Sequence, residues 1–281
     1  MPLTLSSVLA DSYKFLWQNR QDLFAYAFLP VVLVAGAKTL ALWLTGQWQV
    51  VLTPAQLPAD PEVAGEAGTA AAMQVLEVTP TDIGILLVTL ATYVMFAVAW
   101  HRKYLIGNEG NTVGAALRWG TRQKRYLAAF LLLLGIALVA SFLLSVPVRV
   151  MIAENPSVAP IAIMVVLMLV LLIYGRLLLV FPAAATDERF GLKDSIECTK
   201  GRTWLMAGIA VLPPLPMMFV LLIVSMLLAN LFVPLFGASV SLLLVLSLIQ
   251  QGITFIGIAA GVTALSIAHK ELTGTRRAGG V

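Results

Sequence analysis

Six long apolar runs divide this sequence, and each is long enough to cross a lipid bilayer. A transmembrane helix needs about 20 apolar residues, because the hydrocarbon core is about 30 Å thick and a helix rises about 1.5 Å per residue. Backbone groups in lipid must be hydrogen-bonded within the protein, so runs of this kind form helices. The runs cover residues 23–44, 83–100, 126–148, 160–181, 204–236 and 240–268. The sequence therefore predicts an all-α polytopic membrane protein with six transmembrane helices.

Composition agrees with this class and limits what else the chain can contain. Of the 281 residues, 60% are hydrophobic and only 11% are charged, whereas about a quarter of the residues in an average soluble domain are charged. Six spans leave no room for a soluble catalytic domain, so we expect a single membrane domain over residues 1–281. The net charge of +4 does not indicate a nucleic-acid partner, because the basic residues lie beside the apolar runs.

The distribution of lysine and arginine predicts the orientation in the membrane. Short loops that are rich in these residues stay on the cytoplasmic side. The N-terminal segment, the two connections on that side and the tail hold fifteen cations, and the three opposite loops hold one, Arg149. We therefore expect both termini to be cytoplasmic in a bacterial inner membrane. The loop at 46–81 is then extracytoplasmic, and residues 270–281 form a cytoplasmic tail.

Three amphipathic segments precede the odd-numbered spans and suggest an internal repeat. Residues 3–19, 111–124 and 190–202 are predicted to be short helices on the cytoplasmic surface. Four positions align between the first and third segments: Leu5, Leu9, Ser12 and Trp17 correspond to Leu192, Ile196, Thr199 and Trp204. The second segment fits with Val113, Leu117, Gly120 and Arg125. We predict a threefold repeat with units 3–101, 111–181 and 190–269; the alternative is that amphipathic helices and basic helix ends simply look alike.

The stretch from Gly175 to Trp204 resembles a known bacterial module. The run R-L-x-L-x-x-P-A-A, then D-E-R-F-G-L-K-D-S-I-E, then T-K-G-R-x-W is similar to the membrane domain of some glycerophosphoryl diester phosphodiesterases, which also occurs alone in inner-membrane proteins. The residues that carry the resemblance are Arg176, Pro182, Ala183, Ala184, Asp187, Ser195, Thr199, Gly201 and Trp204. The resemblance implies a membrane module of six or more helices. It does not imply hydrolysis, because the soluble phosphodiesterase barrel is not present in this sequence.

The sequence contains no recognisable catalytic or metal-binding motif. Metal-assisted hydrolysis needs several His, Asp, Glu or Cys ligands at one site, and the two histidines, His101 and His269, each lie at a helix end. There is one cysteine, Cys198, and no G-x-S-x-G or P-loop sequence. We therefore expect a protein that is not an enzyme and has no cofactor and no metal.

Polar residues within the spans are costly in lipid and are therefore candidates for function. Arg176 lies near the end of the fourth span. Three roles are open for it: a contact with a lipid phosphate or carboxylate, an ion pair with Asp187 or Glu188, or anchoring of the helix end. Lys38 is a similar candidate near the end of the first span. Gln250 and Gln251 lie in the middle of the sixth span and serve in helix packing or in a solute site. Pro213, Pro214 and Pro216 interrupt the fifth span, and such broken helices occur both as kinks and in transporters.

Two functional classes follow from these residues. The first is a non-catalytic module of the inner membrane, either an accessory or scaffold protein with a membrane-protein partner or a protein that binds anionic lipids. Its predicted site is a cytoplasmic vestibule to which Arg102, Arg176 and His269 converge and Arg202 adds charge. The alternative is a small-solute transporter or channel that uses the proline break with Gln250 and Gln251.

Overall fold

The structure is a computed structural model that describes residues 3–47, 79–107, 113–237 and 239–278. Within these ranges every regular element is a helix. The α-helices are α1 (Leu5–Gln18), α2 (Arg20–Leu44), α3 (Pro80–Leu105), α4 (Val113–Ala116), α5 (Thr121–Glu154), α6 (Ala159–Leu177), α7 (Val180–Ala185), α8 (Leu192–Cys198), α9 (Thr203–Val211), α10 (Leu215–Leu227), α11 (Val233–Phe236) and α12 (Val240–Ala278). A 3₁₀ turn lies at Pro156–Val158 and a π-helical turn at Leu228–Phe232.

Six segments in the described ranges are long and apolar enough to span a membrane, and this confirms the predicted fold class. They are Arg20–Leu44, Pro80–Leu105, Thr121–Met151, Ala159–Ala185, Thr203–Phe236 and Val240–Gly274. The chain is therefore an all-α, multi-pass integral membrane protein. The predicted loop at 46–81 falls mostly outside the described residues.

The chain forms two compact units, each assembled from separate stretches of sequence. The first unit comprises Met1–Tyr26, Val94–Pro216 and Ile256–Val281, and the second comprises Ala27–Tyr93 and Met217–Phe255. Neither coincides with the repeat units predicted from the sequence, so the threefold repeat stays a prediction.

The first unit is organised around a core to which the N-terminal helix contributes. Val8 of α1, Leu179, Met206 and Ile209 of α9, and Ala268 of α12 are buried together. The amphipathic pattern predicted for α1 is confirmed, because Val8, Ser12 and Leu16 are buried while the polar face is exposed. In the second unit, Leu228, Leu243 and Leu246 form a smaller buried cluster.

The second predicted surface helix is much shorter than the sequence suggested. Only Val113–Ala116 of segment 111–124 is a separate helix, and Thr121 already begins the long helix α5. The physical reason is a cap: the backbone N–H of Gly120 donates to Oε1 of Gln123 at 3.0 Å, which starts a new helix at residue 121. The third segment also contracts, to Leu192–Cys198, and Gly201 with a φ of 76° ends the turn that follows.

Two further helices are longer than predicted. Helix α5 runs from Thr121 to Glu154 and passes through Pro147 without ending; at 1.5 Å per residue its length is roughly 50 Å, which exceeds the hydrocarbon core. Helix α12 continues through the predicted tail to Ala278. It continues because Leu272 is buried in the core of the first unit, so helical packing extends past His269.

The predicted break in the fifth span is confirmed. Helix α9 ends at Val211, residues 212–214 form a turn, and α10 begins at Leu215. Proline has no amide hydrogen, so Pro213 and Pro214 remove two donors that a continuous helix would use. Pro216 is tolerated inside α10 because it lies in the first turn, where amide hydrogens have no helical partner.

Candidate anion-binding cleft

A cleft of about 670 Å³ opens in the first unit, and the charged residues of its lining are mostly basic. Among the described residues of its lining, five carry a positive charge and one carries a carboxylate. The charged residues are Arg102, Lys103, Arg118, Arg122, Arg125 and Asp187. The remaining lining residues are Tyr26, Val98, Ala99, Gly107, Ala116, Trp119, Gly120, Thr121 and Gln123. We call this feature the basic cleft.

Helix ends bring the charges of the basic cleft together. Helix α3 ends at Leu105 and places Arg102 and Lys103 in its last turn, a position where cations interact favourably with the helix dipole. Helix α5 begins at Thr121 and carries Arg122 and Arg125 in its first turns, three residues apart and so on one face. A positive charge at a helix N-terminus interacts unfavourably with the helix dipole. Stabilisation of α5 therefore does not explain why Arg122 and Arg125 lie there.

Asp187 is the centre of an ion-pair cluster in the basic cleft. Nε of Arg122 lies 2.7 Å from Oδ2 of Asp187, and Nη1 of Arg125 lies 3.0 Å from Oδ1. Nη1 of Arg102 lies 3.9 Å from Oδ2 and also donates to the carbonyl of Ala185 at 3.2 Å. One carboxylate thus faces three guanidinium groups, and the lining keeps an excess of positive charge.

The other contacts of the basic cleft fix its walls. Nζ of Lys103 pairs with Oδ2 of Asp22 at 2.7 Å, which ties the end of α3 to the start of α2. Val98 and Ala99 are buried residues of α3 that form an apolar part of the lining, and Tyr26 is also largely buried. Trp119 is exposed at the rim. The cleft is therefore amphiphilic, with cations on its polar side and apolar side chains within it.

Arg176 does not take part in the basic cleft. Its Nη2 donates to the carbonyl of Ile196 at 2.9 Å, and its own carbonyl accepts from the hydroxyl of Ser195 at 2.6 Å. Ser195 and Thr199 are fully buried, and Thr199 donates to the carbonyl of Ser195 at 2.7 Å. Of the alternatives offered by the sequence, pairing with Asp187 or Glu188 is not seen, and Arg176 instead fastens α8 to the end of α6.

His269 and Arg202 also lie away from the lining of the basic cleft. Nε2 of His269 contacts Oε2 of Glu188 at 3.2 Å. Glu188 directly follows Asp187 in the sequence. Arg202 is exposed and precedes α9 at its N-cap position. Of the three residues predicted to converge, only Arg102 lines the basic cleft. The cations that do meet are grouped around Asp187.

His101 is fully buried between helices α3 and α12. Its Nδ1 lies 2.7 Å from the hydroxyl of Ser266, which itself donates to the carbonyl of Val262. When the single hydrogen of that hydroxyl is donated to Val262, Nδ1 of His101 is the donor in the contact with Ser266. The neighbouring Trp100 makes the same kind of contact, since its Nε1 donates to Thr263 at 2.8 Å. These two contacts join α3 to α12 within the first unit.

Two of the polar groups predicted within the spans have hydrogen-bond partners in the protein. In the second unit, Nε2 of Gln250 donates to the hydroxyl of Ser225 at 3.3 Å, and Gln251 is buried. Lys38 is partly buried in the same unit. In the first unit, the carbonyl of Pro213 in the break accepts from the hydroxyl of Tyr13 at 2.7 Å.

Sequence reasoning considered Asp187 only as a partner of Arg176 and missed its pairing with Arg122 and Arg125. The spacing of Arg122 and Arg125 on one helical face was an available signal. The described residues contain no group of three His, Cys, Asp or Glu residues that could hold a metal ion. A scan against protein-family models finds no match to this chain, and searches of curated proteins and of solved structures find none either.

Proposed function

We propose that this protein is a non-catalytic module of the bacterial inner membrane that holds the phosphate headgroup of an anionic lipid in its basic cleft. The observation that carries this proposal is the grouping of five cations and one carboxylate around a cavity of about 670 Å³. Ligand sites occupy about 300–1,000 Å³, so the cleft has a suitable size for a headgroup. Arginine is well suited to phosphate because its planar donors bind two oxygens at once.

The amphiphilic lining supports a lipid rather than a free ion as the ligand. A headgroup joined to acyl chains presents both phosphate oxygens and apolar carbon, and the basic cleft offers cations together with Val98, Ala99 and Ala116. The cluster lies at the ends of spans, where the sequence predicts the cytoplasmic surface and therefore an anionic leaflet. Each exposed cation near such a surface contributes about 1 kcal/mol of attraction.

A simpler explanation is that these cations only set the orientation of the spans. That role depends on how many cations a loop holds and not on where their side chains meet. The geometry favours binding because Arg102 of α3 and two arginines of α5, Arg122 and Arg125, come together around a single carboxylate. A scaffold role with a membrane-protein partner is compatible with the same surface.

The transporter or channel remains the alternative function. It would need polar groups free to bind a solute, and two of the predicted groups have protein partners. Gln250 donates to Ser225, and the Pro213 carbonyl accepts from Tyr13. Both contacts support a packing role, so the lipid-binding proposal is preferred. Solute flux in proteoliposomes that is lost in a Gln251→Ala variant would favour the transporter.

The proposal is tested by removing two cations of the basic cleft and measuring bound lipid. We expect the double variant Arg118→Gln, Arg122→Gln to retain at least tenfold less anionic lipid, because about 1 kcal/mol is lost per cation. The measurement is native mass spectrometry of the purified full-length protein. The matched control is Arg189→Gln, Lys193→Gln, which removes two exposed cations outside the lining. Equal lipid retention by both folded variants would overturn the proposal.

A further inference from the structure

We infer that the Asp187 carboxylate competes with lipid phosphate for the arginines of the basic cleft. A lipid phosphomonoester displaces this carboxylate, whereas a lipid phosphodiester does not. This inference rests on the proposed function of the cleft and assigns both its ligand class and its regulation. Asp187 lies between α7 and α8 and is the one carboxylate among the described lining residues.

The contacts of Asp187 are those that a bound phosphate would make. Each of its two oxygens is taken by a different guanidinium, Oδ2 by Arg122 at 2.7 Å and Oδ1 by Arg125 at 3.0 Å. Arg102 approaches the same group at 3.9 Å. Arginine donors arranged in this way recognise carboxylates and phosphates alike. A phosphate that is to reach these donors must therefore take the place of the carboxylate.

The backbone at Asp187 also marks an unusual position. Its φ is 61°, and no other non-glycine residue in the described ranges has a positive φ. This left-handed region is sparsely populated by residues with a side chain, and such outliers concentrate at functional sites. The adjacent amide of Glu188 donates to the carbonyl of Ala183 at 3.0 Å, so the turn is held locally as well as by the arginines.

Displacement of Asp187 requires little disruption of the protein. Its side chain is 36% exposed, and those of Arg122 and Arg125 are 46% and 58% exposed. Ion pairs with this much exposure contribute little to stability. The carboxylate can therefore move into solvent, and the connection at 186–191 moves with it. The incoming phosphate takes its place beside Arg102, whose side chain is only 12% exposed.

Charge decides which phosphate can displace the carboxylate. A phosphodiester carries one negative charge, so it only replaces the charge that Asp187 already supplies. A phosphomonoester carries a charge of about −1.5 to −2 and three strong acceptor oxygens. It therefore gains electrostatic energy on exchange, and its third oxygen is available to Arg118, which pairs with no carboxylate among the described residues. The cleft thus selects the monoester.

The test compares two lipids with the same acyl chains on the full-length, delipidated protein at pH 8. Phosphatidic acid supplies the monoester and phosphatidylglycerol the diester, and native mass spectrometry measures their binding. We expect the wild type to bind phosphatidic acid at least tenfold more tightly. We expect Asp187→Asn to bind phosphatidylglycerol about tenfold more tightly than the wild type does, because the competitor is removed.

Asparagine is the appropriate replacement at this position. It tolerates the left-handed backbone as aspartate does, so the turn is kept while the charge is lost. The matched control is Asp11→Asn, which removes one negative charge from an exposed position of α1 outside the lining. We expect its affinity for both lipids to equal that of the wild type.

A second measurement separates competition from a general change in charge. If Asp187 is displaced, phosphatidic acid increases amide hydrogen exchange in the connection 186–191 of the wild type. Unchanged or slower amide exchange in the connection 186–191 would overturn the inference, and so would an unchanged phosphatidylglycerol affinity in Asp187→Asn. Neither result would contradict the proposal that the cleft binds an anionic lipid. A wild type that binds neither lipid would overturn the proposed function as well. Glycerol 3-phosphate that binds as tightly as phosphatidic acid would show that the ligand is soluble and would overturn a lipid source.

Discussion

Tyr13 shows how a single side chain compensates for a defect that prolines create in a transmembrane helix. Its hydroxyl donates to the carbonyl of Pro213 at 2.7 Å, within the break between α9 and α10. A carbonyl without a donor is costly at membrane depth. Partial burial raises the pKa of the Tyr13 hydroxyl above its ordinary value, so the group keeps its proton and remains a donor.

Replacement of Tyr13 by phenylalanine removes this hydrogen bond and keeps the aromatic ring. We expect a loss of about 1 kcal/mol in the free energy of unfolding, which is typical of one hydrogen bond. Unfolding by SDS titration in mixed micelles measures this change. Because the pKa is raised in the folded state, the contribution is complete below pH about 10 and is lost as the pH rises through the folded-state value. The difference in the free energy of unfolding between Tyr13→Phe and the wild type is therefore expected to be the same at pH 7 and pH 9.

Tyr26→Phe is the control for this prediction. Tyr26 is also largely buried in the first unit, and its hydroxyl makes no hydrogen bond with the residues that the structure describes. We expect its stability to match that of the wild type. Equal stability of Tyr13→Phe and Tyr26→Phe would contradict the role given to the Tyr13 hydroxyl.

At the scale of elements, helices α6 and α9 approach each other at Gly175. A Cβ atom added at Gly175 would lie 3.0 Å from the backbone nitrogen of Ala207 and 3.2 Å from its Cα. Small residues permit such close contacts between helices in membranes, where packing rather than the hydrophobic effect drives association. The sequence also contains a G-x-x-x-G at 257–261, but a Cβ atom added at Gly261 would meet only the ring of Pro214, at 3.9 Å.

Gly175→Ala is expected to destabilise the protein by about 1–3 kcal/mol, since the added methyl group meets backbone that cannot turn aside. The same unfolding titration measures the change. Gly135→Ala is the matched control: it lies inside helix α5, and nothing lies within 4 Å of the position that its methyl group would take. Alanine there favours the helix by up to about 1 kcal/mol. A Gly175→Ala variant as stable as Gly135→Ala would rule out a tight contact.

For the whole molecule, the orientation of the six spans is the property that the proposed function depends on. The basic cleft faces an anionic leaflet only if the ends that carry Arg102 and Arg122 are cytoplasmic. The cation count supports this orientation through the positive-inside effect. The same orientation makes the loop that contains Ala70, which lies outside the described residues, extracytoplasmic.

Cysteine labelling in intact spheroplasts tests this topology. In a Cys198→Ser background, we expect a membrane-impermeant maleimide to label Ala70→Cys directly. Lys193→Cys, in α8, should react only after the membrane is permeabilised. The reverse labelling pattern would contradict the predicted orientation. The basic cleft would then not face the anionic cytoplasmic leaflet.

The sequence alone was sufficient for the six spans, for the amphipathic face of α1 and for the break at Pro213 and Pro214. Each of these is a local property: run length must match the bilayer, side chains repeat at helical spacing, and proline lacks a donor. The helix ends were less predictable, because the Gly120–Gln123 cap and the burial of Leu272 set the start of α5 and the length of α12.

Only the tertiary structure decided which charges meet. Arg102, Arg122 and Asp187 lie in three separate segments, and their distances from one another along the chain do not predict that they meet. Packing of α3, α5 and the connection after α7 brings the first three together, whereas Arg176 is used at the carbonyl of Ile196. A binding cleft is a long-range arrangement, so its members are set by how helices pack and not by the local pattern that places each helix in the membrane.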